Sequence, residues 1–368
     1  MPAVTTLSSE IHDVLAPEGG DGPGGSAETL VAAARSLATG LLAPAAEATD
    51  QAGIVPASHI HALARAGLCG LFSPPALPVA ACREIFEILA GACGVTFFVW
   101  VQHHAPVRML AGTLNEALRD RYLDDLCSGR VLGGVAFAYL RRPGPPAVVA
   151  RRTPSGYRID GEAPWVTSWS LAGLYSVAAR MDDQVVYFLV DGSPSPAVRP
   201  SAPLALAAMG ASSTVRLTFD GLIVPDEKVL AVMAFDEWQS RDELATAQPN
   251  PAAFGIAATC VRLLAERDEY SARALGAEVD DCRTRSYALA DTRRSDAAHL
   301  AALVAARAES LELGVRAATA LVASVGGRAM ASGHPAQRLL REAAFFTIQA
   351  QTPALRRATL AQLVSRRS

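Results

Sequence analysis

The sequence predicts an α+β chain of several domains: helical first, β-rich in the middle, helical again at the end. Three observations predict it. Apolar residues recur with helical spacing from Ala27 to about residue 130. From 131 to 230 the texture changes to short β-branched and aromatic runs separated by turn residues. Beyond that, long alanine- and leucine-rich helical patterns return. Strands do not alternate with helices, which argues against a doubly wound nucleotide fold.

The expected boundaries are a flexible N-terminal tail at 1–26, a helical domain at 27–130, a β domain at 131–230 and a helical bundle at 231–368. A chain of 368 residues exceeds one ordinary core, so two or three packed regions are expected. With 51% hydrophobic and 19% charged residues it has ample apolar material to bury, which excludes a mainly disordered chain.

Residues 16–26, "APEGGDGPGGS", are rich in Gly and Pro and read as linker. "AETLVAAARSLATGLLAPAAEATD" puts Leu30, Ala33, Ala34, Leu37 and Leu41 on one helical face. Further helices are expected at 57–67 and 80–93, and "VTFFVWVQHHAPVRMLA" reads as one buried helix. "NEALRDRYLDDLCSG" is amphipathic, and Gly129 is a fitting stop. Strands are expected in "LGGVAFAYL", "YRIDG", "LYSVAAR", "VVYFLVD" and "STVRLTFDGLIVP". "AAFGIAATCVRLLAERDEYSARALG" reads as one helix, the following stretch to Gly327 holds at least two, and "PAQRLLREAAFFTIQA" is the last.

A net charge of −3, with acids and bases interspersed, advertises neither nucleic acid nor an anionic membrane as partner. The six cysteines form no CxxC pair and no zinc-spaced cluster, so no metal is expected; they read as buried thiols in a reducing cytosol. No basic and apolar leader is visible at the start, and no apolar run is expected to reach membrane-spanning length. The expectation is a soluble cytoplasmic protein.

Three local patterns carry a resemblance. "GYRIDGEAPWVTSW" followed by "STVRLTFDGLIVPDEKVL" supplies Gly161, Trp165, Thr167, Ser168, Phe219, Val224 and Pro225. "ALVASVGGRAM" supplies Gly326 and Gly327, with Ala323 and Ala329 departing from the pattern. "HPAQRLLREAAFFTIQAQT" supplies Pro335, Leu340, Arg341, Ile348 and Thr352. With the helical–β–helical layout, the chain resembles the acyl-CoA dehydrogenase family over roughly residues 28–365. The resemblance implies an N-terminal helical domain, a middle β-barrel-like domain, a C-terminal four-helix bundle, bound FAD, and a homodimer or homotetramer.

It also implies site residues. Trp165 and Thr167 would lie beside the flavin ring, with Ser168 following, and a hydroxyl aimed at the ring would stabilise its reduced form. Tyr139 would face the cofactor. Gly326 and Gly327 would let backbone approach the FAD of a neighbouring subunit. Thr352 would touch the cofactor, and Arg273 is a partial match to an arginine feeding the neighbouring FAD. Without the resemblance, Trp165 reads as a core residue of a hairpin and the glycine pair as a helix stop. Arg341 with Glu342 reads as a structural charge pair.

The pattern breaks at the base. The family's usual glutamate, two residues before the threonine, removes the α-proton of an acyl thioester as hydride leaves the β-carbon. Here that place is Ala350, flanked by Gln349 and Gln351. The alternative position falls near Gln248, and the nearby acids Asp242 and Glu243 would need a different loop path. The family's acidic, small-residue loop is replaced by "YLRRPGPPAV", and Arg283 stands where many relatives have Gln. His103 and His104 are candidates for a base near neutral pH, His104 above all, against the plainer reading of a packed or capping histidine. His334 reads as structural.

Three functions are weighed. The first is an FAD-dependent oxidoreductase of the CH–CH group of an acyl thioester, on CoA or a carrier protein, with a non-standard base. The second is a flavin monooxygenase or oxidase on the same fold, which needs no α-proton abstraction and suits the altered loop and the bulky Trp100 and Trp169. The third is a non-catalytic subunit completing a related partner's FAD site.

Overall fold

The computed structural model describes residues 26–292, 294 and 296–364. The expected tail thus lies outside the described residues, except for Ser26, whose hydroxyl caps the first helix by accepting from Thr29 N at 3.3 Å.

Helices α1 (Ala27–Leu37) and α2 (Ala43–Gln51) are joined through a π turn at Ala38–Leu42. Leu30, Ala34, Ala38, Leu42 and Ala46 are buried. A strict spacing of four drifts around a 3.6-residue helix, and the wider π turn takes up that drift, so the stripe stays on one face. Leu37 and Leu41 flank it half-buried. The helical run Ala27–Gln51 is long and apolar enough, by length and composition, to cross a membrane, which corrects the sequence expectation. Here its stripe packs inward, α1 lying against α4 (Val79–Ala92).

After α3 (Ala57–Arg65) and α4, the segment expected as one buried helix is two, α5 (Gly94–Gln102) and α6 (His104–Ala111). The break is at His103. Its Nδ1 accepts from Gly133 N at 2.8 Å and its Nε2 donates to the Cys69 carbonyl at 3.2 Å, tying the helices to the sheet. Helix α7 (Glu116–Cys127) is capped by Asn115 and stops before Gly129, whose φ is 71°.

Eight strands form one mixed sheet: β1 (Gly133–Ala136), β2 (Val148–Thr153), β3 (Gly156–Val166), β4 (Leu174–Met181), β5 (Gln184–Asp191), β6 (Val198–Pro200), β7 (Val215–Val224) and β8 (Val229–Ala234). The order is β6-β7-β3-β2-β4-β5-β8, with β1 parallel to β4. The strand expected at 132–140 ends at Ala136, and a 3₁₀ turn follows at Ala138–Arg141. Gly161 has φ 129°, and a Cβ there would lie 2.2 Å from the Ala147 carbonyl, so no other residue fits that crossing. The β3–β7 register is interrupted between Ala163 and Val166, and Trp165 is left half-exposed.

The C-terminal helices are α8 (Phe235–Ala247), α9 (Pro251–Ala265), α10 (Glu269–Ala290), α11 (Ala297–Val325), α12 (Pro335–Phe346) and α13 (Pro353–Val364). The single helix expected at 252–276 is two, because Asp268 caps a new start by accepting from Ser271 N at 3.0 Å. Helix α11 is central, packing on α9, α10, α12 and α13. Phe254, Leu311 and Phe346 are fully buried there. Each such side chain contributes about 1.5–3 kcal/mol of transfer free energy.

The expected Arg341–Glu342 pair is not formed. Arg341 bonds Asp50 and Gln337, while Glu342 pairs with buried Arg338 at 2.8 Å, and Arg338 also reaches Glu47 at 3.0 Å. Residues 341 and 342 point to different sides of α12, as helical neighbours must. His334 caps α12, its Nδ1 accepting from Ala336 N at 3.1 Å.

Candidate active site

Helix α8 starts directly after β8 and brings its side chains against the 139–147 segment. Between them lies a cavity of about 320 Å³ that Thr352 and Pro353 also line. Its charged lining residues are Arg141, Arg142, Arg180, Asp242 and Glu243. Asp242 and Glu243, expected to need a different loop path, both sit on α8, which brings them into the cavity lining. Arg141 and Asp242 form a bidentate pair, both contacts 2.7 Å, with side chains only 15% and 11% exposed. The pair fastens the segment to the helix. Among the described residues Glu243 makes no ion pair, so of the two acids in the wall it is the one not engaged with an arginine. Arg180 lies 3.6 Å over the Phe235 ring and donates to the Asp182 carbonyl.

At the end of β3 the backbone is unusual. Trp165 (φ 61°) and Ser168 (φ 68°) are left-handed, as are Met209 (φ 58°) and Ser213 (φ 50°) in the loop bonded to them. Ser168 N donates to the Ser212 carbonyl at 2.9 Å and Trp169 N to that of Ser213 at 3.2 Å. Thr167 Oγ1 lies 3.3 Å from Thr214 Oγ1, which sits 2.7 Å from Ser212 Oγ. Ser168 Oγ is buried without a partner. The remaining left-handed non-glycine residues among those described are Asp182, in a hairpin turn, and Ala350 (φ 54°). Such conformations cost of order 1–3 kcal/mol each and gather at functional sites.

Ala350 is half-buried between α12 and α13. Beside it the Gln349 carbonyl accepts from Arg307 Nη2 at 3.3 Å, and Gln351 Nε2 donates to the Thr347 carbonyl at 3.1 Å. Thr352 caps α13, its Oγ1 accepting from Leu355 N at 3.2 Å. Arg307 Nη1 donates to the Gln248 carbonyl at 3.1 Å, so both positions where the sequence reading sought a base are tied to one guanidinium. Burial, with Arg141 nearby, pushes Arg307 down to about 10. The sequence reading did not single it out, although a lone charge recurring with Leu303 and Leu311 on a helix is a visible signal.

Other sequence candidates are placed elsewhere. His104 is a correction: it lies inside the N-terminal core, boxed by Phe72, Phe86 and Trp100, and neither ring nitrogen has a partner. Burial holds it well below the usual histidine range, so it stays neutral but has no path to a substrate proton. Trp100 lies in the same core, donating to the Leu68 carbonyl. Tyr139 lines the cavity, yet its hydroxyl is taken up by the Ala178 and Ala136 carbonyls, leaving only the ring to face a ligand. Arg273 is exposed and pairs with Glu269 one turn away. Gly326 ends α11 at φ 72°, and a Cβ on it or on Gly327 would meet nothing within 4 Å. Arg283 pairs with Glu87 and Asp280. Among the described residues no group of acids, histidines and cysteines could hold a metal, and all six cysteines are free.

Residues 26–130 match the acyl-CoA dehydrogenase N-terminal domain, and the whole chain superimposes on butyryl-CoA dehydrogenase from Megasphaera elsdenii with a TM-score of 0.77. The chain has the acyl-CoA dehydrogenase fold, and residues 26–130 match that family's N-terminal domain. That superposition covers 95% of this chain and 100% of the other at 18% identity. A glutaryl-CoA dehydrogenase in complex with glutaryl-CoA gives 0.76 at 17% identity, covering 95% and 98%. A dibenzothiophene monooxygenase from a Paenibacillus species gives 0.74 at 15%, covering 92% and 97%. These likenesses are of fold. In sequence, benzylmalonyl-CoA dehydrogenase of Aromatoleum aromaticum is 25% identical over 201 residues, 52% of this chain and 53% of that protein. The chain thus spans about half the length of the curated relative it matches.

Proposed function

We propose that this protein is an FAD-dependent oxidoreductase acting on the CH–CH group of an acyl thioester. The observation that carries the reading is the cavity between the 139–147 segment, α8 and Thr352, with the Glu243 carboxylate in its wall. The residues fit the cofactor. The half-exposed Trp165 indole offers a stacking face, and the buried Ser168 Oγ lacks a partner. When bound, FAD supplies the hydride acceptor.

The chain's own groups do the rest. Trp165, Thr167, Ser168, Thr352 and the Tyr139 ring would hold the flavin. Gly326 and Gly327 face open space and Arg273 is exposed beside Glu269, and these three would serve the cofactor of a neighbouring copy in a homodimer or homotetramer. The Arg141–Asp242 pair fixes the segment that covers the acyl chain. The Glu243 carboxylate takes the α-proton that Ala350 cannot hold. The fold shared with a butyryl- and a glutaryl-CoA dehydrogenase, and the matching N-terminal domain, support a thioester substrate, and the free thiols suit the cytoplasm.

The test is anaerobic titration of the FAD-loaded protein with CoA thioesters of short, long and dicarboxylic acids. Bleaching of the flavin, abolished in Glu243→Gln, is expected. Oxidised flavin with every thioester would overturn the reading. The methyl group at Ala350 and the fold shared with a monooxygenase would then favour oxygen transfer, read as a hydroxylated product rather than peroxide alone. Tight flavin with neither activity, and a related chain co-purifying, would point to a non-catalytic subunit.

A further inference from the structure

Helix α11 carries one charge in its buried stripe. Leu303, Leu311, Gly314, Ala318 and Leu321 are buried, and so is Arg307, at 5% exposure. No carboxylate pairs with it. Its donors go to two main-chain carbonyls, Gln248 at 3.1 Å and Gln349 at 3.3 Å, and Nε has no partner. Both carbonyls belong to helix ends. Gln248 is the C-cap of α8, and Gln349 follows α12, its N–H returning to the Phe345 carbonyl at 3.2 Å. A helix C-terminus carries roughly half a negative charge, so two of them together offset about one guanidinium. This explains how the charge is tolerated in the interior without an acid.

The same two helix ends lead into two parts of the cavity wall. Helix α8 supplies Trp238, Asp242 and Glu243, and the turn after Gln349 supplies Thr352 and Pro353. We propose that Arg307 is the positioning residue of the site: it sets the separation of these two parts and thereby the length of acyl chain they accept. The proposal rests on reading the cavity as an acyl site. The planar fork is suited to the task because it bonds two carbonyls in one plane, which a lysine does less well. It also accounts for the Ala350 turn keeping a left-handed residue: the turn is held by the carbonyl next to it.

The experiment compares full-length parent with Arg307→Lys, Arg307→Met and Arg307→Gln. Amide hydrogen exchange is measured on the protein as purified. Loss of the hydrogen bonds in Arg307→Met should speed exchange about tenfold at 246–250 and 347–352 while strands β3 and β4 are unchanged; Arg307→Lys should stay within about threefold of the parent. FAD-loaded protein is then titrated with butyryl-CoA and octanoyl-CoA, and the ratio of the two KM values should change about fivefold in Arg307→Met with kcat less affected. Unchanged exchange at the two turns, or a uniform rise over all the helices with a constant KM ratio, would overturn the proposal. If Arg307→Met does not fold, Arg307→Gln, whose shorter side chain with one amide cannot bridge both carbonyls, must show the same local pattern. If the parent ignores every thioester, the proposed activity fails while the exchange data still decide the positioning.

Discussion

Arg338 and Arg307 lie in the same helical bundle, both about 95% buried, and are held in opposite ways. Arg338 is gripped by Glu342 and Glu47, in a network that fastens α12 to α2 and to the start of α5. Arg307 meets only carbonyl dipoles. The adjacent histidines repeat the contrast: His103 has a partner at each nitrogen and His104 has none. A buried polar group with matched partners is part of the scaffold. One without them is a candidate for function only where a cavity wall depends on it, which separates Arg307 from His104.

The comparison is broken most forcefully at Arg338. Arg338→Met leaves Glu342 charged and buried, and should cost about 3–5 kcal/mol in a denaturant titration. A loss comparable to that of an exposed pair would show that the network is not structural. Next comes pH. Burial lowers His103 to about 4, and its protonated form would aim an Nδ1–H at the Gly133 N–H. Between the unfolded value near 6.5 and about 4 the unfolded chain binds more protons, so stability is full above pH 6.5 and falls as pH drops through that window, by about 3 kcal/mol. His104 acts in the same direction. A stability curve flat from pH 7 to 4 would contradict this, and His103→Gln should make the fall shallower, leaving the part due to His104.

Smaller effects sharpen the contrast. Arg307→Met should cost only about 1–2 kcal/mol, because the carbonyls it leaves are neutral acceptors. A loss as large as at Arg338 would make the two arginines alike. Smallest is His104→Leu. Two unpartnered nitrogens give way to apolar atoms in an apolar box, so the change should fall within about 1 kcal/mol of neutral and leave flavin binding unaltered. Weakened flavin binding would return His104 to the site.

The three-part fold was legible because each part has its own texture, period 3.6 or period 2, and tertiary packing does not override it. Breaks inside the helices were less so: His103 and Asp268 divide runs whose apolar pattern continues across them, since a ring bonded to the sheet and a cap are single-residue events. The ends of the sheet and α13 escaped because they are short or follow a proline. Thr352, singled out through resemblance, lines the cavity, while Trp165 lies outside its lining with its indole half-exposed. Glu243 and Asp242 were visible as acids, yet only the path of α8 shows that they reach the cavity. Arg307 was hidden among alanines, although its place in the stripe of Leu303 and Leu311 marks it.

Ala350 stands in a conformation that alanine does not favour, held from outside by its neighbours. The shape of the turn and the identity of its side chain are therefore separable. Any alanine codon becomes an aspartate or glutamate codon by one base change at its second position. The turn is already shaped without its side chain, and one base change would place an acid there without rebuilding it.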